Sequence, residues 1–187
     1  AKRRNIIMKD GTITAFSSKL TLGQFLRHFS IPNIFRYIIH VSTKSTIEHV
    51  GILCNDDNYE ALVSPGVVKE KLLIKLRHLS SYTKVSYYEL NKELTQEQRF
   101  ALFEDLESQL GKQYAFGEAL MSAIDNLLPR FMRKKRAKKL KTKKQFCSKL
   151  AAYAYKNLGL IDVVPRNLSP QELIDLLLEK KLVTKFK

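Results

Sequence analysis

The spacing of apolar residues changes character along the chain, from mixed short patterns to sustained helical periods. Thr12 to Phe16 follows the Asp10-Gly11 turn and reads as a first strand. Leu22, Phe25, Leu26 and Phe29 then carry a helical spacing over Thr21 to Phe29, and a second helix is expected over Ile34 to Val41, after the breaker Ile31-Pro32-Asn33. His49 to Leu53 and Tyr59 to Val63 flank Asn55-Asp56-Asp57-Asn58, a turn composition that predicts a β-hairpin. Lys84 to Leu90 is rich in β-branched and aromatic residues and predicts another strand.

Beyond residue 95 the pattern is mainly helical and its boundaries are marked. Thr95-Gln96-Glu97-Gln98 has capping-box spacing, after which Phe100, Phe103, Leu106 and Leu110 recur at helical intervals until Gly111. Gly117 to Leu128 predicts a helix stopped by Pro129. A further helix runs from Phe146 or Cys147 to Leu158, with Gly159 where a left-handed C-terminal residue is favoured. Ser169-Pro170-Gln171-Glu172 is a second capping box, with proline at the first helical position, and opens a helix to about Lys181. Strands followed by helices predict an α+β domain.

Composition bounds this picture without changing it. A chain of 187 residues with 44% hydrophobic residues can bury a core of its own, and its length suits one domain. No stretch approaches the length of a membrane span, and Ala1 to Lys9 has no apolar core of signal-peptide size. Two cysteines do not make a disulfide framework, so a reducing, cytoplasmic setting is the expectation, or packaging in a virion if the protein is viral.

Charge adds one local feature. Ten of the fifteen residues from Arg130 to Lys144 are basic: Arg130, Arg133, Lys134, Lys135, Arg136, Lys138, Lys139, Lys141, Lys143 and Lys144. Subtracting those ten from the net charge of +15 leaves +5 for the rest of the chain. As a solvated loop the run needs no function; as an electrostatic footprint it would draw nucleic acid or an anionic surface. After Phe131 only Met132 and Leu140 are long aliphatic residues in the run, and no aromatics are interleaved. An amphipathic membrane helix and base stacking are therefore poorly supported. Its place just before Cys147 also suits a gate that selects anionic substrates.

The candidate chemistry lies in two segments about a hundred residues apart, Glu48-His49-Val50-Gly51-Ile52 and Gln145 to Tyr155. A cysteine in the first turn of a helix meets free N–H groups and the positive dipole end, which favour thiolate over thiol. Cys147 has that position, and His49, opposite in face to Val50 and Ile52, is the candidate base. Gly51 on the His49 face would leave room for a substrate. Cys54, after Ile52 and Leu53, reads as a core residue. His28, His40 and His78 read as surface or packing residues. Tyr153 and Tyr155 cannot both face the core, and Tyr114 reads as packing before substrate contact.

The order His-Val-Gly-Ile (His49 to Ile52), Tyr59 to Ala61, Gly111 to Tyr114, and Phe-Cys-Ser-x-Leu on a helix (Phe146 to Gly159) resembles the circularly permuted branch of the NlpC/P60 papain-like hydrolases. Within it the similarity is to the YiiX-like group, which includes poxviral and phage-encoded relatives, and Leu168 to Leu176 resembles the closing helix. Two positions depart from the pattern: Tyr114-Ala115 where Tyr-Asp is common, and Asp10-Gly11 where Gly-Asp is expected. The resemblance implies an antiparallel sheet packed on the Cys147 helix and a Cys-His-polar triad that cleaves an amide or ester through an acyl intermediate, without a metal or other cofactor. It makes Cys147 the nucleophile, His49 the general base, Glu60 the group that orients the ring, and the Cys147 N–H part of an oxyanion hole. The expected reaction is hydrolysis or acyl transfer on a peptide, a cell-wall peptide or a lipid; the competing class is a catalytically silent binding or virion protein whose basic surface holds nucleic acid or another protein, and a third is a membrane-surface acyltransferase. Hairpin geometry leaves the third member open. A tight turn at Asp56-Asp57 would set His49 opposite Ser64 and leave Glu60 roughly 13 Å away, whereas a turn nearer Cys54-Asn55, or a bulge, would favour Glu60.

Overall fold

The computed structural model describes residues 8–18, 47–79, 83–113, 147–162 and 168–186. The expected helices at 21–29, 34–41 and 117–128, the basic run, Tyr114, His28 and His40 lie outside them.

Among the described residues, six strands form one antiparallel sheet. They are β1 (Ile13–Ser18), β2 (His49–Cys54), β3 (Asp57–Ala61), β4 (Val67–Lys71), β5 (Thr83–Leu90) and β6 (Val183–Phe186), in the spatial order β4-β3-β2-β1-β5-β6. Four helices accompany them: α1 (Leu72–His78), α2 (Gln96–Gln109), α3 (Cys147–Asn157) and α4 (Pro170–Glu179). The α+β class expected from the sequence is the one observed. The segments β4, α1 and β6 were not marked in the sequence.

Alternation along the central strands sorts their side chains into two sets. Ile13, Ala15, Val50, Ile52, Tyr59 and Ala61 join a hydrophobic core with Leu150, Ala151 and Ala154 of α3, Leu102 and Leu106 of α2, and Leu173 and Leu177 of α4. The alanines of α3 let the helix approach β2 closely. Tyr155 is buried in this core and its hydroxyl donates to the Gly11 carbonyl at 2.6 Å, whereas Tyr153 faces solvent. On the opposite face stand Thr14, Phe16, His49, Gly51, Asn58 and Glu60. Thr14, Asn58 and Glu60 are nonetheless almost wholly buried, so this face holds a polar layer rather than solvent.

Local signals explain the helix boundaries. Both capping boxes form: Thr95 Oγ accepts from the Gln98 N–H while Gln98 reaches back to the Thr95 N–H, and Ser169 and Glu172 repeat the arrangement. Gly159 has φ 71°, and the Leu160 N–H returns to the Tyr155 carbonyl, closing α3 as the glycine predicts. The stripe of α2 differs from the sequence reading. Leu102 and Leu106 are its buried residues, Phe103 and Leu110 pack beside them, and Phe100 is exposed. Gly66 permits a close backbone approach between the two halves: Val67 N–H donates to the Lys112 carbonyl, and Gly111 N–H to the Val67 carbonyl. Those bonds tie the end of α2 to β4, and β4 leads directly into α1.

Candidate active site

The hairpin that carries the site turns at Asn55-Asp56, one residue earlier than the tight turn at Asp56-Asp57 considered from the sequence. Asn55 and Asp56 have φ 52° and 63°, the paired left-handed geometry of a type I′ turn, which Asn and Asp tolerate. Asp10 Oδ1 accepts from the Asn55 N–H at 2.8 Å and fixes the turn from outside. With Ile52 opposite Tyr59 and Cys54 opposite Asp57, continuation of the register puts Gly51 opposite Glu60. His49 and Glu60 are then diagonal neighbours on one face, a separation that long side chains cross. Neither a bulge nor direct opposition is required, and Ser64 lies beyond the ladder.

The two side chains do meet. His49 Nε2 is 2.7 Å from Glu60 Oε2. The second carboxylate oxygen, Oε1, accepts from Lys75 Nζ of α1. Phe16 stands opposite His49 in the β1–β2 ladder, with ring centroids 5.7 Å apart, and Lys75 Nζ lies 5.2 Å over the Phe16 ring. The imidazole is thus held by a carboxylate at one nitrogen and an aromatic ring at its side.

Cys147 is the first described residue of α3 and completes the row. Its thiol hydrogen-bonds with the His49 ring, which leaves Nδ1 for the sulfur because Nε2 is taken by Glu60. Burial alone would push the Cys147 thiol up; the His49 charge and hydrogen bond, with the backbone N–H groups of Val50 and Ser148, outweigh it and bring it down. For His49, burial works downward, but the Cys147 charge and hydrogen bond, then those of Glu60, raise it to about 9. Burial would raise Glu60, yet its bond to His49 and the charges of His49 and Lys75 hold it below the usual carboxylate range. The shifts of Cys147, His49 and Glu60 all favour the charged forms, a row of thiolate, imidazolium and carboxylate that the Lys75 ammonium ends, alternating in sign.

The remaining sequence candidates separate from this row. Cys54 is buried in the core and its thiol is pushed up to about 12, first by burial and then by Asp10 and Asp57. His78 is exposed, with Nδ1 3.6 Å from Glu70. The space over Gly51 is not open to a substrate: a Cβ there would stand 2.8 Å from Thr14 Oγ1 and closer still to Asn58 Oδ1. Gly51 instead makes room for the buried Thr14–Asn58 hydrogen bond of 2.6 Å. Lys75 went unnoticed in the sequence, because Lys71 to His78 has no motif and its lysine is placed only by the β4–α1 connection.

No protein-family model and no curated protein matches the sequence. Among solved structures, the crystal structure of the metalloprotein YiiX from Escherichia coli O157:H7 is similar, with a TM-score of 0.62 and 18% identity. The match covers 96% of this chain and 97% of that one. The chain has a YiiX-like fold. That neighbour is a metalloprotein, and the described residues of this chain offer no matching donor set. Among the described residues no group of three or more His, Cys, Asp or Glu side chains could hold a metal ion. In addition, both Glu60 oxygens are engaged and the Lys75 ammonium beside them opposes a cation.

Proposed function

We propose that this YiiX-like chain is a cysteine hydrolase of the permuted papain-like (NlpC/P60) type, acting on an amide or ester. The observation that carries the reading is the hydrogen-bonded Cys147–His49 pair, with Glu60 on the far ring nitrogen. That arrangement supports three roles: Cys147 as nucleophile, His49 as acid and base, and Glu60 as the group that fixes the ring.

The chemistry follows from the charge states. The Cys147 thiolate adds to the substrate carbonyl, and the carbonyl π electrons move to oxygen, where the Cys147 backbone N–H contributes to the oxyanion hole. As the tetrahedral intermediate collapses, the bond to the amine or alcohol breaks and His49 Nδ1–H protonates the leaving group. Neutral His49 then takes a proton from water, the hydroxide attacks the thioester, and the carboxylic acid leaves with the thiolate restored. Glu60 keeps its charge throughout and stabilises the imidazolium that each cycle regenerates. The net charge of +15 favours an anionic substrate or partner, with peptides, cell-wall peptides and lipids as the candidate classes.

The reading is tested with p-nitrophenyl acetate, a small activated ester. The expected result is a burst of nitrophenol with one acetyl group on the peptide containing Cys147, abolished by Cys147→Ala and slowed by His49→Ala. Acetylation spread over surface lysines, with Cys147 unmodified, contradicts it.

A further inference from the structure

The helix α1 is oriented against its composition. Leu73 and Ile74 are 71% and 43% exposed, while the Lys75 side chain is only 14% exposed. A surface helix normally turns its aliphatic residues inward and lets a lysine reach water. Here the lysine is drawn in and its ammonium meets the Glu60 carboxylate, itself 1% exposed. The same nitrogen lies over the Phe16 ring, so Lys75 touches both of the groups that hold the His49 imidazole.

We propose that Lys75 is a positioning residue of the candidate site: its ammonium holds the Glu60 carboxylate ionised and in place against His49. The inference rests on the reading of Cys147 and His49 as a reactive pair. Its physical basis is the row of four charges. Without the ammonium, a buried thiolate, imidazolium and carboxylate would carry a net negative charge, and the shared proton would move more easily from His49 to Glu60, leaving two neutral groups. A proton held by Glu60 is not available to the leaving group. With Lys75 in place the proton stays on the imidazole, where Nδ1 faces the sulfur. Among the described residues, the titratable groups that face Glu60 are His49 from β2, Lys75 from α1 and, through His49, Cys147 from α3. Lys69 of β4 is turned away, toward Glu107.

The test uses the full chain with Lys75→Met, Lys75→Arg and, as a control, Lys71→Met, whose ammonium pairs with Asp57 instead. Two quantities are read: the titration of the Glu60 carboxyl by carbon-13 NMR, and the acid limb of the pH profile for Cys147 alkylation. In Lys75→Met both are expected to move upward together by about one pH unit or more, the usual effect of a lost opposite charge. Lys75→Arg returns both most of the way, and Lys71→Met moves neither. If the methionine variant does not fold, Lys75→Gln, which keeps a donor without the charge, replaces it. An unchanged Glu60 titration overturns the inference. So does a shifted Glu60 with an unshifted acid limb, because Lys75 would then be a mere ion-pair partner. An inert Cys147 in the parent chain defeats the proposed function instead, and the Glu60 titration still decides whether Lys75 governs that carboxylate.

Discussion

At the scale of single residues, His49 is defined by what lies at its two nitrogens, a thiol on one side and a buried carboxylate on the other. Replacing Glu60 by Gln removes one of the two negative neighbours that raise the ring. NMR titration of the imidazole should therefore show His49 falling from about 9 by about one unit or more in Glu60→Gln. The same shift has a consequence for stability. A base raised in the folded chain contributes stability that is complete below its unfolded value of 6.5 and is lost as pH rises through about 9. The difference in Tm between the parent and His49→Ala should thus be larger at pH 6 than at pH 9.5; an equal difference at both would show that the ring is not raised. Cys147 and His49 were legible in the sequence because helix position and strand alternation assign them without tertiary knowledge. Glu60 was reached through resemblance, since hairpin geometry left it competing with Ser64. Lys75 was not legible, because nothing in Leu72 to His78 distinguishes a lysine that folds inward.

At the scale of elements, the site depends on a sheet packed so tightly that one glycine is obligatory. Gly51→Ala places a methyl group into Thr14 and Asn58, and the overpacking should cost about 1–3 kcal/mol, read from urea denaturation. An unchanged midpoint would mean that the Thr14–Asn58 pair moves aside freely. The cap of α4 offers a contrast. Ser169→Ala should cost about 1 kcal/mol through loss of the bond to the Glu172 N–H, while the pH profile of Cys147 stays as it was. The capping boxes and Gly159 made α2, α3 and α4 readable, since caps are local chemistry. The position of the hairpin turn stayed open in the sequence because Asn55, Asp56 and Asp57 all suit a turn, and only the Asp10 contact and the cross-strand register choose among them. The short strands β4 and β6 were missed for a related reason: Val67–Lys71 and Val183–Phe186 are edge segments whose partners, not their own patterns, make them strands.

At the scale of the whole molecule, the fold joins residues from opposite halves of a strongly basic sequence. A net charge of +15 should give binding to single- or double-stranded DNA that weakens steeply between 50 and 200 mM salt, as counterion release requires. The Cys147–His49 pair, with the sulfur buried and the imidazole partly so, is screened less, so alkylation of Cys147 should change little over the same range. A thiolate–imidazolium pair made by β2 and α3 has a signature in the pH profile of iodoacetamide alkylation, resolved by peptide mass spectrometry. Its shape matters more than its size, because a thiolate of lowered pKa is also a weaker nucleophile. In the parent chain the Cys147 rate should level off at a lower pH than an ordinary thiol's, because His49 holds the thiol down. In His49→Ala the rate should rise about tenfold per pH unit, as for an ordinary thiol of pKa about 8.5, while Cys54 stays slow in both. A Cys147 rate that climbs tenfold per unit in both proteins would show that His49 does not hold the thiol down.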